Sequence, residues 1–417
     1  MASPVIIVGA GLAGLACARR LHRAGVPFLM LDAADRPGGR LKTDVVEGFH
    51  LDRGFQVLFT AYPSARELLD YRQLDLCRFA PGAFIVDHGE LHDVDGDNPL
   101  KTAFDEYLSM SDKLRVVDWT WECRGMSMNQ IWRMSDMPTY RHLRQLGFSP
   151  AFIERFARPF FGGIFMDRSL TVSRQMFTFV WKMLSEGDTV VPATGIEAIP
   201  RQMAAGLPDK AFRMNTRVKS LVGEHRVKGV VLDSGEVLDA ASVIVATDSP
   251  TAGALTGFHT PTTPRGQICL YFATPEPPVE EPKIILRTGH GLVNLIVPMS
   301  VVNPRVAPEG EHLVSVTING DHPAADDELQ AMVKSEAAQL LPHRGVEEWR
   351  FIRAYRIPFA QFDQPAHFRS HLPSATPGRD GLYLAGEYIE HSSIEGALSS
   401  GLHCAEMVKE DLLQVAH

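Results

Sequence analysis

The fold of this chain is decided by Val5-Ile6-Ile7-Val8-Gly9-Ala10-Gly11-Leu12-Ala13-Gly14, close to the start of its 417 residues. Four β-favouring residues lead into three glycines, and an amphipathic run through Leu15, Ala18 and Leu21 follows them. This order predicts a strand, a tight turn and a helix.

The glycines have separate roles in a dinucleotide-binding turn. Gly9 allows the sharp turn, Gly11 lets a pyrophosphate approach the backbone, and Gly14 lets the helix pack closely on the strand. The first N–H groups of the helix, near Leu12 and Ala13, would then face the phosphates. The turn therefore predicts a nucleotide site.

An acidic residue marks the ribose side of the predicted site. Phe28 to Leu31 indicates a second strand ending in Asp32, about twenty residues past the glycines, with Ala33 beside it. A glycine-rich turn in an ordinary α/β domain would leave Asp32 unexplained. The next segment, Asp35-Arg36-Pro37-Gly38-Gly39-Arg40, resembles the second signature of the two-dinucleotide-binding-domain flavoproteins. That resemblance implies FAD, with Gly39 and Arg40 approaching its pyrophosphate.

Composition narrows the class of protein. A length of 417 residues predicts two domains. The net charge of −9 and the pI near 6.0 argue against a nucleic-acid partner or an anionic membrane surface. No apolar run approaches the ~18 residues that span a bilayer, which leaves peripheral membrane contact open. We expect a cytoplasmic protein without a leader peptide, since the first predicted strand begins within five residues.

The cysteines give no sign of a metal or dithiol site. They are widely separated, without a Cys-x-x-Cys pair, so we predict no metal site and expect buried thiols in a reducing compartment. These cysteines are Cys17, Cys77, Cys123, Cys269 and Cys404.

The rest of the chain divides into alternating sections. Residues 41–59 alternate apolar and polar side chains as half-buried strands do, residues 61–186 have mainly helical spacing, and β-rich sections follow. We predict an FAD domain from residues 1–60, 187–257 and 356–417, and a substrate domain from 61–186 and 258–355. Met and Phe concentrate in 61–186, where most should form core and some could line an apolar tunnel.

The C-terminal part predicts another contact with the cofactor. A buried strand ends at Gly386 and Glu387, and a helix beginning near Ser392 continues to Val415. Its small residues would let the helix end lie against a flat ring, with its positive dipole end facing the flavin. A well-packed Gly/Ser-rich helix is the alternative.

These segments together resemble the flavin-containing amine oxidase superfamily, which includes carotene desaturases and protoporphyrinogen oxidases. The resemblance implies an α/β fold, with a two-dinucleotide-binding-domain (Rossmann-like) FAD domain and a discontinuous α+β substrate domain. It implies Val218 at the adenine, Glu387 at the ribityl-phosphate region and the backbone from Ile394 to Ala397 at the pyrimidine edge. The segment containing Gly54, Phe55 and Gln56 would pass beside the isoalloxazine ring, although a β-bulge at Gly54 would explain that glycine equally well.

Two departures from the amine oxidases concern the substrate. The resemblance implies a lysine on a substrate-domain strand that holds a water against flavin N5, but Ala273 or Thr274 occupies the nearest matching position. Ser393 replaces the tyrosine that flanks an amine. With no cysteine between Cys269 and Cys404, we expect FAD to be held non-covalently.

Together with these departures, the resemblance to carotene desaturases and protoporphyrinogen oxidases implies dehydrogenation of an apolar, polyisoprenoid or conjugated substrate by hydride transfer to FAD, with oxygen or a quinone as electron acceptor. Two alternatives stay open: a flavin amine or amino-acid oxidase that releases peroxide, and a non-catalytic FAD protein that binds an apolar ligand. No catalytic side chain is assigned. His50, Tyr355 and His391 could lie near the ring, but each is better explained as a structural residue. The substrate, the acceptor and the oligomeric state are not specified by these residues.

Overall fold

A computed structural model describes residues 3–96 and 107–415 of the chain. Residues 97–106, part of the section predicted to be mainly helical, lie outside the described residues. The strands are β1 (Val5–Val8), β2 (Phe28–Leu31), β3 (Thr43–Val46), β4 (Phe49–Asp52), β5 (Leu58–Phe59), β6 (Leu76–Arg78), β7 (Gly82–Asp87), β8 (Glu90–Asp95), β9 (Thr189–Pro192), β10 (Phe212–Arg213), β11 (Val218–Val222), β12 (Gly229–Leu232), β13 (Val237–Asp239), β14 (Ser242–Val245), β15 (Pro264–Thr274), β16 (Ile284–Arg287), β17 (Leu295–Val297), β18 (His312–Asn319), β19 (Arg350–Phe362) and β20 (Leu382–Leu384).

The helices follow the same order. They are α1 (Leu12–Arg23), α2 (Pro63–Leu68), α3 (Tyr71–Leu74), α4 (Met110–Gly125), α5 (Met128–Arg133), α6 (Thr139–Gln145), α7 (Pro150–Phe152), α8 (Arg158–Ile164), α9 (Arg174–Glu186), α10 (Ala198–Ala205), α11 (Ser249–Thr256), α12 (Met299–Val302), α13 (Asp326–Leu340) and α14 (Ile394–Val415). A π-helical turn, Ile153–Ala157, joins α7 to α8. Such turns occur often at functional sites.

A parallel sheet of order β10-β2-β1-β14-β20 forms the first layer. Its central strands, β1 and β14, are buried along their whole length, as the apolar runs 5–8 and 243–245 predict. Helices α1 and α14 pack against each other, and at Gly401 in α14 an added Cβ would lie 2.1 Å from the carbonyl oxygen of Ala13 in α1. The predicted α/β architecture with a Rossmann-like sheet is confirmed.

A mixed sheet of order β19-β15-β18-β17-β16-β7-β8 forms the second layer. The described part of residues 61–186 is mainly helical as predicted, but the section also contains the strands β6, β7 and β8, which the sequence interpretation did not include. Strand β7 pairs in parallel with β16, about two hundred residues further along the chain, with Ala83 opposite Ile284. A pairing so distant leaves no local sequence signal beyond a short apolar run.

Strand β19 crosses one predicted domain boundary. It pairs with β15 as far as the pair Pro264 and Phe362, although the FAD domain was predicted to resume at residue 356. The division into two domains stays a prediction, and this continuous strand would carry the substrate sheet some seven residues further. Within residues 3–96 and 107–415, no helix has both the length and the apolar character needed to cross a bilayer.

Candidate active site

One cavity of about 1570 Å³ extends from the parallel sheet to the helices around α4 and α9. It is larger than the roughly 300–1,000 Å³ of a typical small-molecule site. All but one of the predicted cofactor-binding residues line it. These residues are Gly9, Gly11, Leu12, Ala13, Asp32, Ala33, Gly39, Arg40, Gly54, Phe55, Gln56, Val218, Gly386, Glu387, Ile394 and Ala397.

The remaining predicted residue, Gly14, is not among the cavity-lining residues and has a packing role. A Cβ at this position would lie 2.1 Å from the carbonyl oxygen of Gly9 and 3.4 Å from a side-chain carbon of Ile7. Gly9 itself has φ of 110°, a backbone conformation that favours glycine. The close contact of helix and strand predicted for this turn is therefore present.

Gly11, in contrast, borders open space. A Cβ there would meet only the Cα of Gly39, at 3.9 Å. Gly11 is also the N-cap of α1, where no side chain caps the helix and no acidic residue occupies the first turn. Among the described residues, no side chain accepts from its first N–H groups, which suits an anionic phosphate.

Asp32 lies at the carboxyl end of β2 and is fixed by two backbone donors. Its Oδ2 accepts a hydrogen bond from the N–H of Ala10 at 2.7 Å, and its Oδ1 accepts from the N–H of Ala34 at 2.7 Å. Each carboxylate oxygen keeps further acceptor capacity for a hydroxyl. The carboxylate is thus held in place before a ligand binds.

An ion pair joins the two ends of the chain at this site. The guanidinium of Arg40 lies 2.6 Å from Oε1 of Glu387 in an ion pair, and it donates a hydrogen bond of 2.7 Å to the carbonyl of Ala360 at the end of β19. The other carboxylate oxygen of Glu387 accepts from the hydroxyl of Ser392 at 2.8 Å. Arg40 therefore connects three distant segments beside the cavity.

The start of α14 meets the cavity as predicted for this helix. Ile394 and Ala397 line the cavity, and the hydroxyl of Ser393 accepts the N–H of Gly396 at 3.0 Å. A Cβ at Gly396 would lie 2.0 Å from the carbonyl oxygen of His391, so only glycine fits this turn.

Gln267 is a cavity residue that the sequence interpretation missed. Its side-chain oxygen accepts the N–H of Phe55 at 3.2 Å and would lie 3.6 Å from a Cβ at Gly54. Ala273 and Thr274, taken above as matching the amine-oxidase lysine, are buried near the other end of β15 and are absent from the cavity lining. The sequence signal that could have identified Gln267 is its position as a polar residue directly before the apolar run of residues 268–273.

Aromatic side chains line the arm of the cavity that leads away from the parallel sheet. Phe152, Phe156 and Phe160 follow one another at four-residue intervals through the π-helical turn, with ring centroids 5.4 and 5.3 Å apart. Phe161 stacks on Trp181 of α9 with centroids 5.5 Å apart. Met176, Val180 and Leu184 of α9 continue this lining.

The three side chains considered for positions near the ring lie outside the cavity lining. His50 Nδ1 is 3.4 Å from the carbonyl of Thr194, and Tyr355 donates to Asp44 at 2.9 Å. His391 is packed against Trp132 and Phe179, and burial, followed by the nearby Arg369 cation, lowers its pKa to about 3. These contacts support structural roles.

The residues present fit a flavin dinucleotide. The uncapped start of α1 can hold phosphate, Asp32 can accept hydroxyls, and the small residues at the start of α14 leave room for a flat ring. Among the described residues, no group of three or more His, Cys, Asp or Glu side chains is placed to hold a metal ion.

Comparisons with known proteins agree with this geometry. The chain is 24% identical over 445 residues to hydroxysqualene dehydroxylase of Rhodopseudomonas palustris, covering 98% of this chain and 99% of the relative. It is 39% identical over 124 residues to Protein FLOWERING LOCUS D of Arabidopsis thaliana, covering 27% of this chain but only 15% of that protein's length.

A similar fold is found in the crystal structure of a putative protoporphyrinogen oxidase from Exiguobacterium sp. 255-15. The two superpose with a TM-score of 0.77 over 99% of both chains at 18% identity. The sequence profile of the flavin containing amine oxidoreductases matches residues 12–409, which include the glycine turn, Asp32 and the start of α14. The chain therefore belongs to the flavin containing amine oxidoreductase family.

Proposed function

We propose that this enzyme dehydrogenates an elongated apolar substrate, of the polyisoprenoid or conjugated type, with non-covalently bound FAD. The observation that carries the proposal is the continuity of the cavity, in which the predicted cofactor residues and the aromatic arm line one space. An apolar ligand in that arm would bury its surface against Phe and Met side chains, which gives affinity without specific polar contacts.

The polar groups near the predicted ring position support this choice over an amine. Gln267 offers a neutral amide already bonded to Phe55, and Ser393 caps α14. Neither supplies the lysine-held water or the aromatic cage that the resemblance implies for amine oxidases. The full-length similarity to hydroxysqualene dehydroxylase also favours an isoprenoid substrate.

The chain's own residues would bind, orient and shield the reactants. FAD, when bound, supplies a two-electron acceptor for a hydride from a substrate C–H bond. The start of α1, Asp32 and Arg40 would hold its phosphates and ribose, while the aromatic arm aligns the substrate and excludes water. No cysteine is present among the described residues that line the cavity, which supports non-covalent binding.

Anaerobic mixing of the holoprotein with candidate substrates tests the proposal. We expect a polyisoprenoid hydrocarbon to bleach the flavin by giving up a hydride, and oxygen or a quinone to restore its colour. A panel of small amines and amino acids should leave the spectrum unchanged. Bleaching by amines with peroxide release would identify an amine oxidase instead, and a flavin that no substrate or acceptor reaches would identify a binding protein.

A variant in the aromatic arm makes this test specific. Phe160→Glu places a carboxylate in the apolar arm and should slow flavin reduction by the polyisoprenoid at least roughly tenfold, because the charge must be desolvated when substrate binds. Photoreduction of its bound flavin should remain as in the parent protein. Equal rates with the apolar substrate would show that this arm is not the substrate site.

A further inference from the structure

Helix α4 carries an apolar stripe on its exposed side. Met110, Leu114, Val117 and Trp121 have exposed fractions of 54, 60, 45 and 75%. Their spacing of four, three and four residues places them within one narrow sector of the helix. So many large apolar side chains in contact with water on one helix mark an interaction surface.

The opposite side anchors this helix to the protein. Trp119 and Cys123 are buried, and the carboxylate of Asp112 accepts hydrogen bonds from the N–H and hydroxyl of Ser149 at 2.8 and 2.7 Å. The stripe faces outward because the opposite face of the same helix packs against the core.

The stripe is continuous with the cavity opening. Met110, Leu114 and Val117 each line the cavity as well as being exposed, whereas Trp121 is exposed without lining it. An apolar molecule leaving the aromatic arm at this end would pass directly onto the stripe.

We propose that the stripe docks on the surface of a phospholipid bilayer, so that the apolar substrate passes from the bilayer into the cavity. The passage of substrate rests on the function proposed above. The twelve residues from Met110 to Trp121 span about 18 Å of helix, and four side chains along that length cover much less than the ~800 Å² that each partner buries in a stable dimer. Tryptophan is enriched at the bilayer interface, which suits its place at the end of the stripe.

The charges beside the stripe indicate the kind of lipid. The exposed Asp118 and Glu122 lie on the flank away from the cavity, Lys113 and Arg124 lie on the flank that lines it, and the whole chain has a net charge of −9. Docking should therefore depend on insertion of apolar side chains rather than attraction to anionic headgroups. Neutral phosphatidylcholine is the bilayer that the stripe fits.

Flotation of the holoprotein with phosphatidylcholine vesicles tests the docking surface. We expect binding at up to millimolar lipid, with a blue shift of tryptophan emission and quenching by brominated lipid, since Trp121 is the most exposed tryptophan. Trp121→Ser should weaken binding roughly tenfold, because a large apolar side chain no longer enters the interface. Val237→Ser, which removes a 56% exposed apolar residue on β13, should leave binding within about twofold.

A second measurement connects docking with substrate delivery. With substrate dissolved in vesicles, Trp121→Ser should reduce the flavin roughly tenfold more slowly than the parent protein. With substrate dispersed in detergent, the two rates should agree, since Trp121 does not line the cavity.

Several results would overturn the inference. These are absence of vesicle binding by the parent protein, equal binding by Trp121→Ser, or self-association through Trp121 without lipid, seen as a doubled mass in sedimentation. Vesicle binding is measured without turnover, so a protein that docks through Trp121 while no apolar compound reduces its flavin would refute the proposed function and not the docking surface.

Discussion

At the scale of single residues, Gly11 and Gly14 of the same turn serve different purposes. The position of Gly14 is closed by the backbone of Gly9, whereas Gly11 borders the cavity with only Gly39 nearby. A side chain at Gly14 therefore disturbs packing, and a side chain at Gly11 disturbs whatever the cavity holds.

Gly11→Val should give a folded protein without the yellow flavin spectrum. The valine side chain would occupy the space predicted for the pyrophosphate, while meeting no protein atom closer than the Cα of Gly39. Absorbance of the purified protein and its thermal midpoint measure the two effects. Gly14→Ala should instead lower the thermal midpoint, because its Cβ would overlap the Gly9 carbonyl. Normal flavin content in Gly11→Val would refute the predicted fingerprint.

His391→Phe should reduce the loss of stability on acidification. The pKa of His391 is about 3 in the folded protein because of burial, against about 6.5 unfolded, so between those values the unfolded state binds the extra proton. Stability from this group is therefore lost as the pH falls, by about 2 kcal/mol between pH 7 and pH 5.

The difference between parent and variant isolates His391 from other buried groups. Asp52, whose pKa burial raises to about 6, acts in the opposite direction, since the folded state then holds the proton between its folded and unfolded pKa values. Thermal midpoints at pH 7 and pH 5 provide the measurement. If the thermal midpoint fell by the same amount in both proteins, His391 would be protonated in the folded protein at pH 5.

At the scale of elements, the contact between α1 and α14 positions both helix ends at the cavity. Gly401 permits it, because a Cβ would lie 2.1 Å from the carbonyl oxygen of Ala13 and 2.9 Å from the Cβ of Ala16. Ala13 also lines the cavity, so the packing of these helices and the shape of the cofactor site are coupled.

Gly401→Ala should lower stability by about 1–3 kcal/mol, because the helices must separate to admit the methyl group. Flavin affinity should fall with it, since Ala13 moves. Thermal unfolding and flavin titration measure the two changes. Gly125→Ala, at the end of α4, is the matched control, since its Cβ would meet no atom within 4 Å. If both substitutions changed the unfolding temperature and the flavin affinity equally, the close contact between α1 and α14 would not contribute to stability.

At the scale of the whole molecule, Arg40 and Glu387 connect the N-terminal and C-terminal segments that line the cavity. Glu387 is 7% exposed in its side chain and Arg40 36%, so solvent screens the pair only in part. This ion pair would help hold together the separate chain segments that form the predicted cofactor site.

Arg40→Gln should lower stability by about 1–3 kcal/mol, because it leaves the Glu387 carboxylate buried without its cation. The double variant Arg40→Gln with Glu387→Gln should recover part of that loss, because the uncompensated charge is removed. A double-mutant cycle of unfolding free energies on the protein without flavin measures the coupling. Strict additivity would show that the two side chains do not interact.

The sequence determined the nucleotide-binding half of this protein because its signals are local. The spacing of Gly9, Gly11, Gly14 and Asp32 operates within one strand–turn–helix–strand unit, whose geometry nearby residues dictate. The family resemblance then joined Gly386 and Ile394 to the same site, and the structure places both at the cavity.

Only the tertiary structure decided which residues of the predicted substrate domain line the cavity. The strand period of two does not say which end of β15 reaches the cavity, so Gln267 was missed, and Ala273 and Thr274, interpreted as the nearest match to the amine-oxidase lysine, do not line the cavity. The pairing of β7 with β16 depends on residues about two hundred positions apart. Such contacts are set by the packing of the whole chain, and the aromatic arm and the exposed stripe of α4 arise from that same packing.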